Sequence, residues 1–200
     1  MSETKKVIGI VGSCRKGGVV DTAVSAVLAA AAEKGAETEK IYLIDKDIKF
    51  CTNCRECMQT PGPVRGACVL EDEMESILQN IESTPSLVIG APVNFGNITA
   101  VTRAFLERCV GYAYWPWEME KPQIRDRSLK KKAVLVSASG AALRMGKMFR
   151  EPMNALHTLT NLLGAHSIGN LWVDKVNREH MELTERQLKK AKKLGHKLVK

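Results

Sequence analysis

Four cysteines lie close together in the sequence and have the spacing of ligands for a metal or redox centre. Three recur at every third position and the fourth follows after ten intervening residues, giving the set Cys51, Cys54, Cys57 and Cys68. Thiolates spaced by two residues can surround one iron–sulfur cluster that a more distant fourth thiolate completes. Structural zinc more often takes two separated pairs of ligands. The spacing therefore favours a [4Fe–4S] cluster, with zinc or metal-free redox thiols as the alternatives.

A glycine-rich turn is the second candidate site, with the sequence Gly12-Ser13-Cys14-Arg15-Lys16-Gly17-Gly18. The apolar residues 5–11 before it predict a buried strand, and residues 21–34 after it predict a helix. Glycines allow close approach of the backbone, a helix N-terminus carries partial positive charge, and Ser13, Arg15 and Lys16 add side-chain donors. The turn therefore predicts a phosphate site. Its spacing matches neither the P-loop nor G-x-G-x-x-G, and an ordinary glycine-bearing turn is the alternative.

The composition narrows the class of protein. The chain has 200 residues, a formal net charge of +8 and six cysteines. The positive excess falls largely in residues 121–132 and 186–200, where a solvated basic surface is the simpler interpretation. The few aromatic residues do not alternate with a basic stripe, which argues against nucleic acid. Without a membrane-length apolar run or a signal peptide, we expect a cytoplasmic protein whose cysteines serve metal or redox chemistry.

Alternating strand and helix patterns must position these candidates. Beyond the first strand and helix, the sequence predicts strands at 37–44, 86–91, 132–137 and 165–173, and helices at 71–81, 98–110, about 147–163 and 184–200. Such alternation is typical of an α/β fold with a parallel sheet covered on both faces. We expect a flavodoxin-like three-layer sandwich with a five-stranded parallel sheet in the order 2-1-3-4-5.

In that order, strands one, three and four are neighbours. Polar turns of small residues follow all three, at residues 12–18, 92–97 and 137–140. Ligands of parallel α/β sheets bind beyond the carboxyl ends of the strands, so one ligand could contact all three turns.

We expect a single domain over residues 1–200, with a cysteine-rich loop at 49–70 inserted after strand two. A loop of that length in a compact domain is functional or disordered, and the cysteines favour function. The aromatic-rich residues 111–127 either pack beneath a loop, cover a ligand or meet another subunit.

These motifs resemble those of the NADPH-dependent FMN reductase superfamily, and more closely its iron–sulfur flavoprotein branch. Residues 12–18 are similar to the family's G-S-P-R-x-G-G loop, and residues 91–108 are similar to its S-P-V-Y-F-G segment and the helix ending in D-R. The cysteine block followed by Glu71-Asp72-Glu73-Met74 matches the branch. The chain departs from the pattern at Cys14, at Val19-Val20 and at Asn94, where the family has proline, Asn-Thr and tyrosine.

The resemblance implies an FMN site built from the three turns. Its phosphate would be held by Ser13, Arg15, Gly17 and Gly18, with Val19 and Val20 at the helix start and Lys16 as a further donor from the same turn. Pro92, Val93, Asn94, Phe95 and Gly96 would lie along the isoalloxazine, with Asn97 completing the turn. The third side would be closed by Ser137, Ala138, Ser139 and Gly140.

The leading hypothesis is an FMN-binding oxidoreductase that moves electrons between a reduced carrier and an acceptor through FMN and a [4Fe–4S] cluster. The resemblance also implies NAD(P)H as an electron donor, a homodimer or homotetramer, and a ferredoxin-like partner. No side chain is assigned to acid–base catalysis, and neither nucleic acid nor a membrane is expected. An NAD(P)H-dependent FMN or quinone reductase without a cluster is the second hypothesis. A non-enzymatic metal-binding module on the same fold is the third.

Overall fold

The computed structural model describes residues 5–142 and 150–200. In these ranges the strands are β1 Lys6–Val11, β2 Glu37–Tyr42, β3 Ser86–Pro92, β4 Ala113–Tyr114, β5 Gln123–Ile124, β6 Lys131–Ala138 and β7 Ala165–Val173. The α-helices are α1 Val19–Ala32, α2 Met74–Glu82, α3 Ala100–Arg108, α4 Arg150–Leu162 and α5 Glu185–Leu198.

Five of the strands form one parallel sheet in the order β2-β1-β3-β6-β7. The predicted flavodoxin-like order is confirmed, because the short antiparallel hairpin β4–β5 lies outside this sheet and changes only the numbering. The register places Val11 beside Gly90, and Pro92 beside Ala138. The carboxyl ends of β1, β3 and β6 therefore lie next to one another, at what we call the carboxyl edge.

Side chains alternate along the sheet and enter two apolar cores, one on each face. Ile8 and Ile10 of β1 belong to the core under α2, α3 and α4. Val7 and Val11 of the same strand belong to the core under α1 and α5. All four are buried. A central parallel strand must be apolar on both faces, which explains why this continuous apolar run lies in the middle of the sheet.

Helix boundaries differ in places from the prediction. α1 begins at Val19, two residues early, because Val19 and Val20 are themselves buried in the core. α3 ends at Arg108 and passes into a short 3₁₀ turn, Cys109–Tyr112, that leads to β4. The predicted start of the fourth helix near residue 147 lies outside the described residues. Within 5–142 and 150–200, no helix is long and apolar enough to cross a membrane.

One carbonyl group fastens the turn after β1 to α3. The buried hydroxyls of Thr99 and Thr102 both donate to the carbonyl oxygen of Gly12, that of Thr102 at 3.2 Å. The N–H of Gly12 donates in turn to the carbonyl oxygen of Gly90 at 2.7 Å. A Cβ atom at position 12 would overlap the Thr102 hydroxyl, so only glycine allows this close approach.

We expect Gly12→Ala to lower the free energy of unfolding by about 1–3 kcal/mol, as overpacking does. Thr102→Ala alone should cost about 1 kcal/mol through the loss of a buried hydrogen bond. The double variant should lose less stability than the two single losses added together, because Thr102→Ala removes the hydroxyl that the new Cβ of Gly12→Ala would overlap. Urea denaturation followed by circular dichroism measures all three, and additive losses would contradict the predicted overlap.

Candidate functional site

The turn after β1 presents backbone donors at the carboxyl edge. The 14-residue helix α1 starts after Gly18, which is extended and supplies no side-chain cap. The first N–H groups of a helix have no carbonyl partner within it and carry partial positive charge. Gly17 has a φ of +71° and open space where a Cβ would lie. Residues 12–18 therefore form a helix start of the kind that receives an anion.

A second uncapped helix start lies at the same edge. Thr99 occupies the N-cap position of α3, but its side chain accepts no capping hydrogen bond from a backbone N–H of that helix. Its hydroxyl donates instead to the carbonyl oxygen of Gly12. The starts of α1 and α3 thus both add partial positive charge where β1 and β3 end.

The polar side chains of the turn are partly engaged within the protein. Ser13 is buried, and its hydroxyl oxygen accepts a hydrogen bond from the backbone N–H of Arg15 at 3.2 Å. The ammonium of Lys16 pairs with Asp45 at 2.7 Å and lies over the Tyr42 ring. Arg15 is exposed and forms no ion pair with any residue of the described ranges. Of the two basic side chains predicted to bind phosphate, Arg15 is the one whose charge is available at the turn.

A buried carboxylate fixes the backbone of this turn from behind. Asp21 accepts hydrogen bonds from the N–H of Gly17 at 2.7 Å, the ammonium of Lys40 at 2.6 Å and the hydroxyl of Tyr42 at 3.1 Å. Burial opposes the charge, but the hydrogen bonds from Lys40 and Gly17 outweigh it and hold the pKa of Asp21 below its usual range. A carboxylate with a lowered pKa loses its stabilising contacts only as the pH falls through that pKa, so the turn keeps this anchor at neutral pH.

The side chains of Val19 and Val20 point into the core rather than toward the turn. Both are buried beneath α1, and a Cβ atom on Gly90 would lie 3.0 Å from Cγ1 of Val20. Only their backbone N–H groups are left to meet a ligand at the helix start.

The turn after β3 exposes an aromatic ring. Asn94 and Asn97 exchange backbone hydrogen bonds of 2.8 and 2.9 Å. Phe95 and Gly96 between them have φ values of +47° and +76°, the pattern of a type I′ turn. Holding a bulky residue in the left-handed region costs about 1–3 kcal/mol, yet the Phe95 ring is fully exposed. Phe95 therefore presents an aromatic ring to solvent from the turn that follows β3.

The third predicted turn lies partly within the sheet. Ser137 and Ala138 are the last residues of β6, both are buried, and the Ser137 hydroxyl donates to a carbonyl of β3 at 2.8 Å. The strand predicted through Ser137 is confirmed, and the prediction of a turn is wrong for Ala138, which pairs with β3 and β7 as the last residue of the strand. Ser139 and Gly140 do follow the strand. The continuation at 143–149 lies outside the described residues.

The four predicted cysteine ligands line one cavity in the loop after β2, together with Arg55 and Arg108. Its volume is about 20 Å³, room for about one water molecule. Asn53 and Arg55 both have left-handed backbone conformations, with φ of 56° and 62°, so the Cys-x2-Cys-x2-Cys segment is tightly coiled. Coiling brings the three repeated cysteines to the cavity that the distant fourth also lines, the set being Cys51, Cys54, Cys57 and Cys68.

These thiols interact electrostatically. Burial, and after it the negative charges that Cys68, Cys51 and Cys54 would carry as thiolates, raise the pKa of Cys57. Burial and nearby negative charge therefore disfavour the thiolate form of Cys57, which a bound cation would stabilise. Cys109, which directly follows α3, is separate from the set. It is fully buried in the apolar core, and burial raises its pKa to about 12.

The four thiols that line the cavity are of the chemical type that binds an iron–sulfur cluster. A zinc ion draws its thiolates to about 2.3 Å, whereas a [4Fe–4S] cluster distributes them over four irons. In the described part of the chain, no three Cys, His, Asp or Glu side chains surround a single ion position. Among the same residues, the buried Nε–H groups of Arg55 and Arg108 have no acceptor, although both side chains line the cavity. Unpartnered donors beside thiols suit an anionic sulfur centre, for which the small cavity would have to widen.

Arg125 fastens the cysteine-rich loop to the rest of the fold. Its guanidinium donates to four backbone carbonyls at 2.8 to 3.2 Å, those of Gly111, Thr60, Gly62 and Cys57. Arg65 lies in the same loop and pairs with Glu75 at 2.8 Å and Glu82 at 2.7 Å on α2. An irregular loop lacks the regular backbone hydrogen bonds of a helix or a sheet. The side-chain hydrogen bonds of these two arginines hold the loop in place instead.

The aromatic-rich segment packs against this loop. The guanidinium of Arg55 lies 4.0 Å from the Trp115 ring centre and 4.4 Å from that of Trp117, and it donates to the Trp115 carbonyl at 3.0 Å. Trp117 remains largely exposed. The segment therefore packs against the cysteine-rich loop, which is one of the three alternatives that the sequence left open.

Arg108 closes the neck of the loop. Its guanidinium donates to both carboxylate oxygens of Asp72, to the Lys49 carbonyl at 2.8 Å and to the Cys68 sulfur at 3.5 Å. Arg108 and Asp72 are both buried. Sequence reasoning assigned no role to these two residues, although both lie in the segments that carried the family resemblance.

One helix joins the two candidate sites. α3 begins where Thr99 and Thr102 hold the turn after β1 and ends at Arg108 beside Cys68. Nine residues of helical rise separate Thr99 from Arg108, roughly 14 Å along the axis. The cysteine cavity and the carboxyl edge are therefore tied to opposite ends of the same rigid element.

The family model for NADPH-dependent FMN reductases matches residues 5–177. The chain belongs to the NADPH-dependent FMN reductase family. Curated relatives include an iron–sulfur flavoprotein of Archaeoglobus fulgidus, 32% identical over 111 residues that make up 56% of this chain and 48% of the relative. An iron–sulfur flavoprotein of Methanocaldococcus jannaschii is 36% identical over 103 residues, 52% of this chain and 51% of the relative. The matched part is thus about half the length of these relatives.

Solved structures of similar fold include an azoreductase from Bacillus anthracis, with a TM-score of 0.72 at 17% identity, covering 97% of this chain and 100% of that one. An NAD(P)H:quinone oxidoreductase from Methanothermobacter marburgensis has a TM-score of 0.71 at 16% identity, covering 98% of this chain and 100% of that one. These likenesses establish the flavodoxin-like fold of this FMN reductase family member.

We expect Arg125→Ala to loosen the cysteine-rich loop of this FMN reductase family member. Losing hydrogen bonds from a charged donor costs about 1.5–3 kcal/mol, so thiols that react through local opening should be modified roughly ten to a hundred times faster. Reaction of the metal-free protein with a disulfide reagent measures the rates. Arg127→Ala, at an exposed position in the same segment, is the matched control. Equal rates in both variants would contradict the anchoring role.

Proposed function

We propose that this chain binds FMN at the carboxyl edge and an iron–sulfur cluster at the four cysteines, and transfers electrons between a reduced donor and an acceptor. The observation that carries the proposal is the meeting of the ends of β1, β3 and β6 at two uncapped helix starts, joined by α3 to the thiol-lined cavity. Family membership and relatives named iron–sulfur flavoproteins support it.

Bound FMN supplies chemistry that accepts two electrons as hydride and releases them one at a time. In this proposal the chain's residues bind and orient it. The N–H groups of Lys16, Val19 and Val20 and the guanidinium of Arg15 hold the phosphate, while Asp21 accepts the hydrogen bond of the Gly17 N–H and keeps that residue in position. The turn at 92–97 lies along the ring system, with Phe95 as its exposed aromatic side chain.

In this proposal, the centre bound at the cysteine cavity transfers one electron at a time. Four thiols with two unpartnered arginine N–H groups suit a centre that carries negative charge. NAD(P)H is the proposed two-electron donor, in keeping with the family, and a ferredoxin-like carrier is the proposed one-electron partner.

Self-association is a further part of the proposal. Large exposed hydrophobic side chains flank the two sites: Phe50, Val64 and Val69 in the cysteine-rich loop, Phe95 after β3 and Trp117 after β4. Exposed apolar side chains grouped around a site favour an interface. We propose a homodimer or homotetramer that covers them.

A cluster-free NAD(P)H-dependent FMN or quinone reductase is the second candidate. The small cavity, about 20 Å³, favours it, because no cluster enters without movement of the loop. The two candidates share the flavin site and differ only in iron.

We expect Arg15→Ala to weaken FMN binding roughly ten- to a hundredfold, the cost of losing a charged hydrogen bond. Lys16→Ala should have a smaller effect, because Lys16 pairs with Asp45. Riboflavin, which lacks the phosphate, should bind both variants and the unchanged protein alike. Flavin fluorescence titration measures all of these affinities. Equal FMN and riboflavin affinities in the unchanged protein would contradict phosphate binding at this turn.

We expect anaerobically purified protein to contain about four irons and four acid-labile sulfides per chain. Cys54→Ser should lose them, and Cys14→Ser, which changes an exposed thiol outside the loop, should retain them. Iron and sulfide analysis with a visible spectrum measures both. Iron-free protein that still reduces FMN with NADPH would favour the cluster-free reductase.

A further inference from the structure

The buried ion pair between Arg108 and Asp72 lies against the cysteine cavity and outside the three turns assigned to the flavin. Arg108 lines the cavity, and Asp72 lines the neighbouring cleft beneath it. The Asp72 carboxylate also accepts hydrogen bonds from the backbone N–H groups of Lys49 at 2.8 Å and Met74 at 3.0 Å. These contacts hold the pair in a fixed position at the neck of the loop.

The guanidinium of Arg108 is oriented toward sulfur. One nitrogen donates to the Cys68 sulfur at 3.5 Å, and its Nε–H has no acceptor among the described residues. A positive charge at this distance is not screened by solvent, because the side chain is 1% exposed. Its charge and hydrogen bond therefore act on any centre to which Cys68 is bound.

We propose that Arg108 is a positioning residue that holds Cys68 in the cavity and sets the reduction potential of the centre bound there, with Asp72 opposing its charge. The inference rests on the proposed function, since it requires a cluster at the four cysteines. Reduction adds one electron to the centre, and a nearby positive charge or an N–H donor to sulfur stabilises the reduced state. Arg108 thus raises the potential, and the negative charge of Asp72 lowers it.

The two members of the pair make opposite predictions. Arg108→Gln keeps a donor but removes the positive charge, so the midpoint potential of the cluster should shift to a more negative value. Asp72→Asn leaves the Arg108 charge uncompensated, so the potential should shift to a more positive value. Arg108→Lys retains the charge and should restore part of the difference. If the pair had a purely structural role, Arg108→Gln and Asp72→Asn would both lower the iron content and would not shift the midpoint potential in opposite directions.

The test is a potentiometric titration of the cluster, followed by electron paramagnetic resonance, on the full chain as purified. Iron per chain is measured in each sample. Glu107→Gln changes an exposed charge on the same helix and is the matched control, with no shift expected. Where Arg108→Gln fails to fold, the direction of the Asp72→Asn shift decides.

Shifts of opposite sign in the two variants support the inference. Shifts of the same sign, or none, in proteins that contain iron overturn it and leave the proposed function standing. Absence of iron from the unchanged protein overturns the cluster assignment, and the inference with it, while FMN binding measured separately reports on the flavin site.

Discussion

Parallel pairing of β1, β3 and β6 is the constraint on which the candidate site depends. Parallel strands all end at one edge, so the helices that follow them all start there. α1 and α3 begin side by side, and neither has a side-chain cap on its first N–H groups. Thr99 has the residue type for a cap but donates to the Gly12 carbonyl instead. Thr99 therefore links the start of α3 to the turn that precedes α1 instead of capping α3. The first N–H groups of both helices are left without a side-chain cap and can bind an anion.

Prediction from the sequence worked best where one physical requirement governed many residues. Strands buried on both faces must be apolar throughout, so β1 and β3 were recognisable, and with them the fold and the position of the turns. Individual contacts followed different rules. Lys16 was a plausible phosphate ligand by type, but its pairing with Asp45 depends on where the chain returns after β2. Ser137 was predicted as the last residue of a strand and the first of a ligand-binding turn, whereas its hydroxyl donates to a carbonyl within the sheet.

The cysteine-rich loop exposes a different limit of sequence reasoning. Its four candidate ligands could be predicted from their spacing, because thiolates around one centre must be close in sequence or be brought close by a turn. The contacts that hold the loop in place could not be predicted, because Arg125 binds backbone carbonyls and every residue has one. The repeated arginines around the block were the available signal. Four of them, Arg55, Arg65, Arg108 and Arg125, contact the loop or lie within it. Arg55 donates one side-chain hydrogen bond, to the Trp115 carbonyl, and each of the other three donates several.

The buried pair of Arg108 and Asp72 is costly as a purely structural device. Removing two charges from water offsets most of their mutual attraction, and well-packed apolar residues of similar size often stabilise a core as well or better. The adjoining cores under α3 are built from such residues, Phe105 and Leu106 among them. A charged pair at the end of the same helix, with one nitrogen on the Cys68 sulfur, therefore contributes something that apolar packing would not. What a fixed positive charge contributes next to sulfur is control over how readily that sulfur, or a centre bound to it, holds an electron.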